Sequence, residues 1–256
     1  MWLEAIYEPT SLFSLKASDS TNRGAKSLLA PSPYSVKMAL LNAMITFGGF
    51  NFEPDTDASE NPKGKRKETK ATGETFDAFE AIRDLEIRFA VSDKVVVNNC
   101  FIKIQKPKRM EGEAKEHNLE TMDTTVTFRE YVYFSGDLRL AFDLKQDASN
   151  SETETLLREF LPKINYFGKR GCFFQFKSFE PRTELPKEEY ARELKAGLAM
   201  NSLVGCTLAQ MDDFDSKASF DNANNFSRTK AKRISRIFLI PRTRKKSNKN
   251  FTLYSL

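Results

Sequence analysis

The stretch VTFREYVYFSGDLRLAFDL, residues 126 to 144, decides the fold. Along its first half Val126, Phe128, Val132 and Phe134 fall on one side of an extended chain, and Thr127, Arg129, Tyr131 and Tyr133 on the other. That period of two is the mark of a half-buried strand. Ser135-Gly136-Asp137 then turns the chain into Leu138, Leu140, Phe142 and Leu144, so the reading expects a hairpin in alternating register. Strands of this kind need antiparallel neighbours, and helical periodicities on both sides of them make the class α+β.

Upstream, Trp2 to Tyr7 reads as a first strand, followed by a polar, turn-rich stretch from Thr10 to Ala30 that carries Phe13, Lys16, Arg23 and Lys26. Ser32 stands at an N-cap position and Pro33 at the first helical one, ahead of an apolar stripe of Val36, Leu40, Ala43, Met44 and Phe47 that stops at Gly48-Gly49. Residues 53 to 74 hold no large apolar side chain and read as a flexible excursion. Phe76, Phe79, Ile82, Leu85 and Phe89 recur at helical spacing, and Val95 to Val97 and Cys100 to Ile104 return to the strand pattern. Downstream, Ser151 and Glu154 form a capping box for a helix that Pro162 closes. The turn Tyr166-Phe167-Gly168-Lys169-Arg170-Gly171 leads into a strand from Cys172 to Phe176. Lys187 to Ala199 reads as a helix, and Leu203 to Leu208 and Ile234 to Ile240 as strands.

A chain of 256 residues with 40% hydrophobic content and 22 Phe can bury a sizeable core. No apolar run approaches the ~20 residues that span a bilayer, and Met1-Trp2-Leu3-Glu4 lacks the start of a secretory signal, so a cytoplasmic address without a membrane partner is expected. Cys100, Cys172 and Cys206 are widely spaced and form no ligand cluster, which makes them core residues. Asp212-Asp213-Phe214-Asp215 lacks the glycine and distant glutamate of a calcium loop and reads as an exposed acidic loop. No metal site, cofactor or nucleotide motif is encoded. Charge is segregated: the net charge is +5, but no acid follows Asp221 and the tail beyond it carries +10. A polyanion partner suits that distribution, as does a solvated basic tail, although Ile234 and Ile237 to Ile240 among the charges argue for a folded one.

Two features carry binding chemistry. Gly168-Lys169-Arg170-Gly171 sets two cations between glycines whose backbone can approach an anion closely, although the tetrapeptide alone reads more readily as an exposed turn with solvated charges. Arg129, Tyr131 and Tyr133 on one strand face combine a phosphate partner with rings on which bases stack; the same tyrosines also suit a second core layer.

The order of Pro31-Ser32-Pro33 opening a helix, Arg129-Glu130-Tyr131, and Tyr166 to Gly171 before a strand resembles the fifth Cas family of CRISPR systems, within the RAMP superfamily. The resemblance implies an RNA-recognition-like (ferredoxin-like) α+β fold with an antiparallel sheet, a β-hairpin thumb over 95 to 134 and a basic C-terminal extension. Residues 1 to 221 would form the RNA-binding domain, with 222 to 256 packed on it. The implied role is a non-catalytic subunit of a type I Cascade surveillance complex that caps the five-prime repeat-derived handle of the crRNA. Its partners would be the backbone and large subunits, and target DNA near the PAM end. Phe13, Lys16, Arg23, Lys26, Arg129, Tyr131, Lys169 and Arg170 are then candidate RNA contacts, with Lys103, Lys106, Lys108 and Arg109 near the thumb tip. Some members of the family cut precursor crRNA without metal, and His117, the single histidine, is the one candidate base for that alternative.

Overall fold

The computed structural model describes residues 1–16, 26–48, 73–107, 122–144, 150–195, 204–223 and 232–256. The elements run β1 (Trp2–Pro9), β2 (Leu15–Lys16), β3 (Ser27–Leu28), α1 (Pro33–Phe47), α2 (Gly73–Arg83), β4 (Ile87–Ala90), β5 (Lys94–Pro107), β6 (Met122–Phe134), β7 (Leu138–Asp143) and α3 (Asn150–Phe160). They continue with β8 (Phe174–Arg182), β9 (Arg192–Glu193), β10 (Thr207–Phe214), β11 (Arg233–Ile240), β12 (Thr243–Ser247) and β13 (Phe251–Ser255).

The central sheet has the order β4-β7-β1-β8, with every neighbouring pair antiparallel. With α1 between β1 and β4, and α3 between β7 and β8, this is the βαββαβ arrangement of a ferredoxin-like fold. Leu3, Ala5 and Tyr7 of β1 are fully buried in the main core along with Val36, Leu40 and Met44 of α1 and Leu157 and Phe160 of α3. Ser32 caps α1 by accepting from Ser35 N at 3.2 Å, a contact worth about 1 kcal/mol. The opposite face of β1 presents Glu4, completely buried beneath Tyr190 and bonded to Arg182. Burial pushes the Glu4 carboxyl above the usual carboxylate value, against the pull of Arg182.

Between β4 and β7 the chain leaves this sheet to form the long hairpin β5–β6, in register from Val95↔Phe134 to Pro107↔Met122. Here the expected hairpin across Ser135-Gly136-Asp137 is corrected. β6 pairs with β5 and β7 pairs with β1 and β4, so that turn carries the chain between two sheets. Both halves keep their alternation because one face of each lies on the main core, although the other face of β7 is covered as well at Ala141, beside Tyr190. β13 pairs with β5 and β12 with β13, giving a second four-stranded sheet β12-β13-β5-β6. A third sheet, β10-β11-β9, packs its β10 on α1.

Other expectations change as well. The helix read through Phe89 ends at Arg83, and Phe89 lies in β4, paired with Leu140 of β7. Of the excursion over 53 to 74, residues 53 to 72 lie outside the described residues, and Gly73 already opens α2. Ser151 sits inside α3, which starts at Asn150, so it is not the cap. No helix forms over the described part of Lys187 to Ala199; Arg192 and Glu193 pair with Leu239 and Phe238 instead, a long-range pairing that overrides local propensity. The strand read at Cys172 begins at Phe174, and that read at Leu203 begins at Thr207. Asp213 is no exposed loop acid: it ends β10 as a buried partner of Lys37.

The basic C-terminal residues divide in two. Arg242 is 1% exposed and donates to the carbonyls of Val91, Ser92 and Pro241 at 2.7 to 2.9 Å, which fixes the corner before β12 to the start of β5. Arg236 pairs with Glu193, and Arg233 stacks over Tyr34, its guanidinium carbon 3.9 Å from the ring centre. Arg244, Lys245, Lys246 and Lys249 stay exposed, with no ion pair among the described residues.

Candidate nucleic-acid interface

The turn after α3 is built between buried anchors. Phe167 is completely buried, edge-on to Tyr7 and Phe174 at 5.1 and 5.2 Å, and Cys172 is buried on the other side. Tyr166 bridges to Phe173, and Cys172 N donates to Lys169 O at 3.1 Å. Four residues therefore close the loop, with Gly168 at φ 69° and Gly171 at φ 98°, both in the region that favours glycine. Lys169 and Arg170 are pushed into solvent with no acidic partner among the described residues.

The loop leans on two other segments. A Cβ on Gly168 would stand 3.2 Å from Leu15 Cδ2 and 3.9 Å from Ser35 Oγ, so the turn touches both β2 and the first turn of α1. Lys16 follows Leu15 and pairs in register with Ser27, next to Lys26; both lysines are exposed. Lys16, Lys26, Lys169 and Arg170 are thus four exposed cations, without an ion-pair partner among the described residues, on three chain segments joined through Leu15, and the turn among them approaches the first turn of α1. Glu130 of β6 reaches across and accepts from Ser27 N at 2.7 Å, tying this cluster to one side of the β5–β6 hairpin.

Not every expected contact is available. Phe13 is 1% exposed, its ring packed on Phe134 and Phe174 at 5.1 Å, and its backbone bridges to Val132. It is a core residue that fastens the 10 to 16 segment to β6, and no base can reach its face. Arg129 and Tyr131 are half-exposed but face the opposite way from the turn, opposite Cys100 and Asn98 on the outer side of the hairpin. Lys103 is exposed on the inner side, opposite Val126 and two residues from Phe101. Lys106 lies in β5 opposite Asp123, while Arg23, Lys108, Arg109 and His117 lie outside the described residues. The candidates therefore form two surfaces, one on each side of the hairpin. Lys246 and Phe251, which the sequence reading did not single out, share the outer side with Tyr131, because the pairing of β13 with β5 joins segments far apart in the chain.

Among the described residues there is no cluster of His, Cys, Asp and Glu able to hold a metal, and no helix long and apolar enough to cross a membrane. No family model matches the chain. The sequence is 23% identical over 260 residues to the CRISPR-associated protein Cas5 of Archaeoglobus fulgidus, covering 100% of this chain and 98% of that one. The chain is similar to a Cas5 protein along its whole length. The resemblance carried by residues 31 to 33, 129 to 131 and 166 to 171 thus extends along the whole sequence. Among solved structures the chain is similar to a CRISPR protein from Archaeoglobus fulgidus, with TM-score 0.43, 9% identity, and coverage of 100% of this chain and 91% of that chain. It is also similar to a chain of a CRISPR RNA-guided surveillance complex, with TM-score 0.43, 14% identity, and coverage of 94% and 91%.

Proposed function

We propose that this Cas5 homologue is a non-catalytic subunit of a type I CRISPR effector complex, and that it binds the five-prime repeat-derived handle of the crRNA. The observation that carries the reading is the group of four exposed cations, Lys16, Lys26, Lys169 and Arg170, without an ion-pair partner among the described residues, on the joined segments of β2, β3 and the 168 to 171 turn. A backbone held by glycines and flanked by cations from separate segments suits a bent phosphate chain better than a single small anion, because the charges are spread along a path. The relative's name supports a CRISPR role. The backbone and large subunits are the protein partners of this reading, with target DNA approaching at the PAM end. The hairpin β5–β6 would be the thumb, its inner face extending Phe101, 77% exposed, and Val126, 60% exposed, beyond the core.

The test is co-expression of the chain with guide RNA and its partner subunits. Lys169→Ala combined with Arg170→Ala should leave the fold intact and strip the guide RNA from the purified assembly. Unchanged RNA content would remove the turn from the interface.

A further inference from the structure

We infer that the outer face of the β12-β13-β5-β6 sheet is a second nucleic-acid surface, a stacking platform for a short run of unpaired nucleotides, separate from the turn at 168 to 171. At the base of the hairpin, over 94 to 98 and 131 to 134, the sheet has one closed face and one open face. Val95, Val97, Val132 and Phe134 turn inward and are at most 6% exposed. The alternate residues Val96, Asn98, Cys100, Arg129 and Tyr131 are half-exposed, and Tyr133 is 51% exposed.

Register assembles the open face from four strands. Tyr133 lies opposite Val96, Val96 opposite Leu253, and Leu253 opposite Lys246, which makes one row across the sheet. Tyr131, Asn98 and Phe251 make the next row, and Arg129 lies beyond it opposite Cys100. Lys94 closes the other end opposite Ser255. The rings of Tyr131 and Tyr133 stand about 7 Å apart along their strand, and Phe251 stands about 10 Å across from Tyr131. Among the described residues none of these three rings contacts another ring, and neither tyrosine hydroxyl has a hydrogen-bond partner.

The charge on this face selects the partner. Lys94, Arg129 and Lys246 stand around the three rings without an ion-pair partner among the described residues, and none of the face positions just named holds a carboxylate. Three cations framing free aromatic faces suit bases that stack while their phosphates run past the cations. A duplex offers no base faces to the rings. The surface also stands on the other side of the hairpin from Lys169, because Glu130, one residue from Arg129 and facing inward, bonds to Ser27 beside the turn cluster. The inference therefore does not depend on the handle reading.

The experiment uses the full chain and three fluorescent probes: a dodecamer of uridine, the same length of thymidine deoxynucleotide, and a duplex. Tyr131→Ala with Tyr133→Ala should weaken binding of the single strands by about 10-fold or more. Tyr131→Phe with Tyr133→Phe, which keeps both rings, should stay within about twofold of the parent. Lys169→Ala with Arg170→Ala should leave oligouridine binding in place, which separates this surface from the handle site. Preference for uridine over thymidine would assign the platform to RNA, and equal affinity to either single strand. Ultraviolet crosslinking of the unmodified chain should place adducts on Tyr131, Tyr133 or Phe251, which keeps the test open if the alanine variant fails to fold. Duplex bound as tightly as single strand, alanine variants that bind unchanged, or crosslinks confined to other residues would overturn the inference.

Discussion

Lys37 of α1 and Asp213 of β10 meet at 2.6 Å with side chains 2% and 11% exposed, and this pair couples the ferredoxin-like body to the third sheet. Lys37 also donates to Arg83 O at 2.8 Å, so one ammonium joins α1, the end of α2 and β10. Burial draws Lys37 below the ordinary lysine value, while Asp213 opposes the shift.

Asp213→Asn should therefore destabilise the chain by about 3 kcal/mol at neutral pH, because it leaves a buried ammonium without its counter-ion. The depression of Lys37 would deepen in the variant. A lysine whose folded pKa lies below its unfolded value of 10.5 costs stability at low pH, and that cost fades as pH rises from the folded value to the unfolded one. Urea denaturation at neutral pH and near pH 10 should show the difference between variant and parent shrinking at the higher pH. A difference that grows would contradict the assignment.

Arg242→Met should cost about 3 kcal/mol, since the carbonyls of Val91, Ser92 and Pro241 lose a buried partner. Arg242→Lys should recover only part of this, because an ammonium cannot reproduce the planar fork. Hydrogen exchange should accelerate in β12 and β13 and not in β1 and β7.

How much of this was legible in the sequence depends on the range of the contacts. Ser32-Pro33 and Gly48 bound α1 through local chemistry, and the helix is found where they put it. The alternation over Val126 to Phe142 marks two strands correctly, yet it is silent on partners, which is why a single hairpin was expected where two sheets divide. Phe13 looked available because it stands in a polar stretch, and only the three-dimensional bridge to Val132 shows it to be core. Lys187 to Ala199 has helical spacing that the pairing of Arg192 with Leu239 outweighs. The turn at 168 to 171 was legible as a turn, but its contact with Leu15 and Ser35 joins three distant segments and left no local trace.

Gly171→Ala should lower stability by about 1 to 2 kcal/mol through backbone strain alone, since φ is 98° and no atom beyond its chain neighbours lies within 4 Å of the added carbon. Gly168→Ala adds a 3.2 Å approach to the end of the Leu15 side chain, which can yield. Its penalty should be of similar size, and thermal unfolding of the two variants checks both.

Under the proposed handle-binding role, Lys16→Ala and Lys26→Ala should each weaken RNA binding without changing sequence preference. Each should also lower the slope of log affinity against log salt by about 1. Fluorescence anisotropy over a salt series measures this, and an unchanged slope would take that lysine off the phosphate path.

Repeat RNA incubated with the isolated protein in EDTA should remain uncut, and His117→Ala should make no difference. Metal-independent cleavage lost in that variant would replace the binding role with a processing one.

Arg242 and its acceptor Ser92 lie 150 residues apart in the chain, and β13 must travel as far to reach β5. Loop closure on that scale is slow, whereas β1, α1, β4, β7, α3 and β8 can assemble from residues up to Arg182. A chain emerging from the ribosome would thus acquire its ferredoxin-like body early and carry a naked edge on β5 until β13 arrives. Completion of that edge would then be a late step of folding, and the same pairing brings Phe251 and Lys246 to the outer face.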